Sequence, residues 1–487
     1  MEPLTFSRLN YGILLAYLAA MLGVGLAFAR RQKTTEDFFL AGRKMHWLAV
    51  GMSMYASLTS AITFMALPGT AYRDNISFIV VSFASVLVAP ALVTLFYPVF
   101  HRLRVTTSYE YLAHRFGPPA QKAAAGLFVL ARLGWLGLVI YAPALALSVV
   151  SGIPLPVCLL AIGGLATAYT FLGGLAADIW TDVIQFVIMI GGVIWLLAAL
   201  AHGVPGGVGG ILAVAREHGR LHVADWKISL TAMSGWSVGL GYFFQLMQDY
   251  GTDQTTVQRM MAIPTARGVT RAIFFNAAVD FLVIGSLLFI GLGLFAYHAA
   301  WPERLPEGLA GDRLLPYFIL HALPDGVSGL LITALFAAAM SSMDSGISCV
   351  STVLINDFIR PARKAVATEA HDLRLARGLT LALGVFATGI AFYVSRFEQL
   401  IEGYTNIVSL FNAPILGLFL LGLLTRRGRF SGWVIGAVAA VVITQAARLF
   451  TPLHWSYYFP LSLGVTVILG YLFSRLPEKG VPHAAHT

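Results

Sequence analysis

The chain has 487 residues, 58% of them hydrophobic and only 11% charged, with a mean hydropathy of +0.77. Soluble domains carry about 25% charged residues, so this composition excludes a soluble protein or one held by a single anchor. The net charge of +9 leaves nucleic acid open as a partner until the placement of the charges is read. Two cysteines, Cys158 and Cys349, sit in apolar segments and belong to no metal or redox motif.

In chain order, thirteen segments reach membrane length, since about 20 apolar residues span a bilayer as a helix. They cover 9–29, 46–73, 77–100, 119–150, 154–171, 177–202, 232–250, 272–298, 326–352, 376–395, 404–424, 430–449 and 456–474. The first ends in Arg30-Arg31 without a small-residue cleavage site, so it is expected to be a retained helix. Ten-residue alternating segments of a β-barrel do not dominate. The expected fold class is therefore an all-α integral membrane protein forming one membrane domain over 1–487. Leu314 to Leu323 is expected as a surface helix, and loop 203–231 as external and partly helical.

The second segment crowds Ser53, Ser57, Thr59, Ser60 and Thr63 into eleven positions ahead of Pro68-Gly69. Hydroxyls can satisfy backbone groups where a helix unwinds. The seventh carries Ser234-Gly-Trp-Ser-Val-Gly-Leu-Gly241 and is expected to break there. Two broken helices five segments apart point to an inverted repeat, helices 2–6 (about 46–202) against 7–11 (about 232–424), with 9–29, 430–449 and 456–474 as additions. Solute and ion sites of such folds lie at the breaks. Close packing through Gly and Ser is the alternative.

In the ninth segment, Ala338, Ser341, Ser342 and Ser345 are spaced i, i+3, i+4, i+7 and share a helix face, with Asp344 at its edge. Oxygen ligands on a buried stripe suit a hard cation such as Na⁺. Asp182, near the start of the sixth segment, is either a helix-capping acid or a cation ligand facing that stripe. Arg132 and Asp280 are further charges within spans that either neutralise each other or reach cavities.

With the N-terminus outside and the C-terminus cytoplasmic, 21 Lys and Arg fall in cytoplasmic segments and 9 outside, as the positive-inside rule requires. This explains the net charge as topology rather than nucleic-acid binding. Loop 353–377, with Arg360, Arg363, Lys364 and Arg374, is a topology signal or a binder of anionic lipid. The twelve histidines fall in loops, tails or helix ends, no nucleophile–base pair is evident, and there is no Walker-type phosphate loop. An enzyme and an ATP-driven pump are thereby disfavoured. A channel or a solute sensor on a transporter scaffold is the rival class, although the polar residues cluster at mid-depth instead of lining a pore.

Five motifs in order resemble the sodium:solute symporter family, whose fold is that of the bacterial leucine transporter. They are Arg31-Gln-Lys-Thr-Thr-Glu-Asp-Phe-Phe39, Thr107-Ser-Tyr-Glu-Tyr-Leu-Ala-His-Arg-Phe116, Gly173-Gly-Leu through Trp180-Thr-Asp-Val-Ile-Gln185, Asp253-Gln through Val257-Gln-Arg259, and the stripe at 338–345. Within the family the likeness is to bacterial sialic acid symporters. The resemblance implies a Na⁺-coupled importer of a small polar solute, sitting in a bacterial-type inner membrane and acting as a monomer in the lipid bilayer. It implies a shared sodium site at Ala56, Thr59, Ala338, Ser341 and Ser342, and a second one at Asp182, Ser342 and Ser345, where Asp344 replaces a serine. The implied solute-binding residues are Ser57, Ser60, Thr63, Arg132, Trp135 and Phe243 or Phe244. Trp135 aligns with the arginine that grips the sialic acid carboxylate. Three readings stand here: Arg132 reaches the solute from one turn earlier, Trp135 stacks on a neutral sugar, or Trp135 simply packs. The solute is accordingly sialic acid or another sugar acid, a neutral sugar, or a small monocarboxylate or vitamin.

Overall fold

The computed structural model describes residues 6–29, 34–304, 313–363, 369–395 and 408–475. Every element among them is helical. Among the described residues nine helices are long and apolar enough to cross a membrane, and a bent pair makes ten. In a bilayer the helix satisfies each backbone group within its own segment, which is why the apolar runs all take this form.

The chain opens with α1, Arg8–Ala29. The broken span follows as α2, Trp47–Leu58, and α3, Ala61–Arg73, bent by 63°. Next comes α4, Ile79–Ala91, which continues through a π turn at Leu92–Phe96 just after Pro90. Proline removes a backbone donor, and a π turn absorbs the misfit. Then α5 spans Pro118–Ser151 and α6 Leu155–Gly203. Predicted segments 154–171 and 177–202 meet in α6 without the expected loop at 172–176. Their junction is Gly174, at φ 60 and ψ 179, a region essentially closed to other residues.

The seventh span departs from expectation. Gly235–Gly251 (α7) is an unbroken helix that starts at the sequence expected to break it. Ser234 and Ser237 form a capping box, with Ser237 N–H donating to Ser234 Oγ at 3.2 Å and Ser234 N–H to Ser237 Oγ at 3.0 Å. Gly241 serves close approach: a Cβ there would lie 2.7 Å from the Ser456 carbonyl oxygen. The interruption comes at Thr252 and Asp253, before α8, Gln254–Met261, which Asp253 caps.

The remaining helices are α9, Ala266–Ala300; α10, Leu314–Ala322; α11, Val327–Val353; α12, Glu369–Val394; α13, Ala413–Leu424; α14, Phe430–Phe450; and α15, Tyr458–Ser474. Residues 404–407 of the eleventh predicted segment and the tail beyond 475 lie outside the described residues. The expected helix within loop 203–231 covers Gly207–Glu217. In the basic loop, Asp372 pairs with Arg360 at 2.9 Å and Arg363 at 2.8 Å, so part of its charge is neutralised internally.

Burial orders these helices around α11. In its most apolar window 94% of residues are buried, against 22% for α1 and for α14. A helix that is apolar or small on every face belongs in the centre of a bundle. α11 packs on α6, α5, α1 and α2, while α14 and α15 form a peripheral pair. The polar stripe of α11 is therefore enclosed by protein rather than lipid.

Candidate functional site

The site grows from the break between α2 and α3. Thr59 and Ser60 are extended (φ −89, ψ 104 and φ −93, ψ 167), so α2 ends with Thr59 N–H bonded to Tyr55 O at 2.9 Å. Ending a helix leaves its last carbonyls without intrahelical donors. The stripe on α11 supplies them. Ser341 Oγ donates to Ala56 O at 2.7 Å and lies 3.1 Å from Ala338 O, while Ser342 Oγ donates to Ser57 O at 3.0 Å. Ala56, Ala338, Ser341 and Ser342 have no exposed surface, and Thr59 is 6% exposed. These five residues thus meet where α2 terminates against α11. The C-terminal end of a helix carries a partial negative charge, and the donor set is oxygen only, carbonyl and hydroxyl. That combination suits a Na⁺ ion.

Asp182 stands deeper along the same interface. Ser53 Oγ donates to its Oδ2 at 2.6 Å, and Ser57 Oγ lies 3.2 Å from that atom and 2.8 Å from Ser345 Oγ. Ser57 thus belongs to this cluster and not to the solute cavity. Ser345 also bonds Asp344, whose Oδ1 accepts from the Ser345 N–H at 2.6 Å. Asp182 is fully buried in the interface and lies within α6 rather than at its end.

The residue that sequence reasoning missed is Arg259. Its Nη2 donates to Asp182 Oδ2 at 3.0 Å, its Nε donates to Ser53 Oγ at 2.8 Å, and its Nη2 also bonds Ser345 Oγ. The two charges are 1% and 0% exposed. A guanidinium therefore occupies the position of a cation among Asp182, Ser53 and Ser345. In sequence Arg259 falls between the predicted segments 232–250 and 272–298, where it reads as a topological charge. α8 instead folds back into the bundle and carries it inward. Asp178 joins the same region, and its Oδ2, like Oδ1 of Asp182, has no hydrogen-bond partner among the described residues.

Beside the break opens a cavity of about 230 Å³. Thr59 and Ser60 line it from the break, Thr63 from α3, and Arg132 and Trp135 from α5. Arg132 does not pair with Asp280. It donates to Asp253 Oδ1 at 3.0 Å, bonds Thr255 Oγ1, and stacks on Trp135 with Cζ 4.4 Å from the ring centre. Helix α7 presents Tyr242, Gln245 and Asp249 to the cavity. Phe243 and Phe244 are absent from the lining; they are turned aside and pack edge-to-face on each other at 5.3 Å. On a helix a shift of one residue is 100°, which is enough to move a side chain off the lining face.

A model of the sodium:solute symporter family matches residues 38–439. The sodium/sialic acid symporter NanT of Aliivibrio fischeri is 32% identical over 97% of this chain and 94% of its own length. Human sodium-coupled monocarboxylate transporter 2 is 30% identical over 95% of this chain and 76% of its own. The solved substrate-bound, outward-open state of a Na⁺-coupled sialic acid symporter superposes with a TM-score of 0.91. It is 30% identical, covering 96% of this chain and 98% of that one.

Proposed function

From the premise that this chain belongs to the sodium:solute symporter family, we propose that it imports a sugar-sized polar solute, of the class of sialic acids, other sugar acids or sugars. The chain is a multi-pass membrane transporter and not an enzyme, and Na⁺ is its coupling ion. The observation that carries the solute reading is adjacency. Thr59 and Ser60 line the cavity, while the carbonyls just before them, of Ala56 and Ser57, are held by Ser341 and Ser342. A change in ion occupancy at the α2 end is thereby felt at the solute wall two residues away.

In this reading Ala56, Thr59, Ala338, Ser341 and Ser342 bind the first Na⁺. Asp182, Ser342, Ser345 and Asp344 form a second cation locus that Arg259 fills when no ion does. Ser60, Thr63, Arg132 and Trp135 contact the solute. Thirteen spans, with α2–α6 and α7–α13 as inverted halves, rock around the site. The interruptions at Thr59–Ser60 and Thr252–Asp253 support that pairing. The chain lies in a bacterial-type inner membrane, N-terminus outside, and acts as a monomer. A sugar-like solute is favoured over a simple monocarboxylate because Ser60 and Thr63 offer hydroxyl partners on the cavity wall, while Arg132, the only cation there among the described residues, is already engaged by Asp253.

One Na⁺ entering down 100 mV releases about 2.3 kcal/mol, and a tenfold gradient adds about 1.4 kcal/mol. Together they concentrate a neutral solute roughly 500-fold. The test is uptake of labelled N-acetylneuraminate and D-glucose into proteoliposomes. Accumulation above equilibrium with external Na⁺, and none when K⁺ replaces it, is expected. Equilibration at the same level in both salts would overturn the proposal.

A further inference from the structure

Helix α8 is short, polar and enclosed. All eight of its residues, Gln254–Met261, are buried, yet five of them, Gln254, Thr255, Thr256, Gln258 and Arg259, are polar. Its side chains bond to separate parts of the bundle. Gln254 Oε1 accepts from the Ser108 N–H at 2.9 Å, and its Nε2 donates to Thr106 O at 2.9 Å. Gln258 Nε2 donates to Phe39 O at 2.7 Å and to Thr352 Oγ1, on α11, at 3.1 Å. An ion pair stands at each end. Asp253, which caps α8, accepts from Arg132 on the solute cavity, and Arg259, in the last turn, donates to Asp182 in the cation cluster. The two anchors are six residues apart, about 9 Å along a helix axis.

Thr255 joins these ends by hydrogen bonds. Arg259 Nη1 donates to Thr255 O at 3.2 Å, the Thr255 N–H donates to Asp253 Oδ1 at 2.8 Å, and Thr255 Oγ1 bonds Arg132. The Arg259 guanidinium is thus tied to the backbone of its own helix. At 1% exposure it sits in a close-packed interior that leaves little room to turn aside. We infer that α8 couples the second cation locus to the solute cavity, with Arg259 and Asp253 as its positioning residues. A Na⁺ ion that takes Asp182 displaces the guanidinium, and the guanidinium carries α8 with it. Asp253 then slackens its hold on Arg132, whose Nε is buried without a hydrogen-bond partner among the described residues and is free to donate to a solute oxygen. By linkage, whatever draws Arg132 away from Asp253 favours the ion at Asp182. This rests on the two-cation reading above and extends it to how ion and solute communicate.

The experiment is ²²Na⁺ binding to the full purified chain with no solute present. The second-locus component is the one lost in Asp182→Asn. Asp253→Asn keeps a side chain able to cap α8 but releases Arg132, and Arg132→Gln releases Asp253 from the other side. Each is expected to raise the Na⁺ affinity of that component about fivefold or more, the low end of coupling between two sites. The two variants change the local charge in opposite senses, so a rise in both is not a field effect, and damage to packing would weaken binding instead. Adding Asp253→Asn to Arg259→Gln should change the affinity by less than about twofold, because the connection is already cut. Thr255→Val, which removes one bond of the link without changing charge, should raise the affinity in the same sense and decides the matter if neither charge variant folds. Unchanged or lowered affinity in Asp253→Asn or in Thr255→Val, as an immobile α8 requires, overturns the inference and leaves the two-cation reading standing. A single Na⁺ per chain in the wild type that survives Asp182→Asn overturns both.

Discussion

Arg259 is the residue whose removal is most informative. Its pair with Asp182 spans 3.0 Å with both side chains almost wholly enclosed. At an effective dielectric constant of 20, two unit charges at that distance attract by about 5.5 kcal/mol. Deleting one member of a buried pair typically costs 3–5 kcal/mol, roughly that scale, because the other is left uncompensated. Arg259→Leu and Asp182→Leu should therefore each destabilise the protein by about 3–5 kcal/mol. The double variant, which removes both members of the pair, should recover part of the loss, since apolar replacement of a buried pair is often neutral while buried Asp178 still loses Arg259 as its neighbour. The assay is denaturant unfolding in detergent for the wild type, both singles and the double. A coupling energy of about 3 kcal/mol or more is expected. Na⁺ should stabilise Arg259→Leu more than the wild type, because a free ion can then pair with Asp182. A double variant as unstable as the two singles summed would refute the reasoning.

Asp182→Asn should lower the sodium Hill coefficient of uptake, and an unchanged coefficient above one would remove Asp182 from ion binding. Gly174→Ala forces a side chain into φ 60, ψ 179, so it should cost about 1–3 kcal/mol, read as a lower melting temperature at unchanged Na⁺ affinity. Asp253→Asn releases Arg132 from its partner and should improve competition by D-glucuronate relative to D-glucose several-fold. Equal competition before and after would show that this pair does not set the charge of the cavity.

The helical stripe was legible because 3.6-residue periodicity determines which side chains share a face, and Ser341, Ser342 and Ser345 do meet α2. The α2 break was legible because hydroxyls cluster where carbonyls must be satisfied. Other features were hidden for physical reasons. Gly and Ser near 234–241 look like breakers, but there they cap a helix and admit a neighbour's backbone. A basic residue between spans reads as a topological charge, so Arg259 gave no signal that α8 would return to the bundle. Phe243 and Phe244 share their segment with the lining residues Tyr242 and Gln245, and only the rotation of the packed helix decides which face the cavity. Asp253 as the partner of Arg132 depended on a break whose position the local sequence does not mark.

The central claim is that Na⁺ binds where α2 ends against α11. Binding of ²²Na⁺ to the purified protein measures this without reference to any solute. Wild type should bind saturably. Ser341→Ala, which removes the hydroxyl shared by Ala56 O and Ala338 O, should weaken binding about tenfold or more, the scale of one lost ligand contact to a charged group. Thr444→Ala, a buried hydroxyl on the peripheral α14, should leave it unchanged. Equal ²²Na⁺ affinity in wild type and Ser341→Ala would contradict the account.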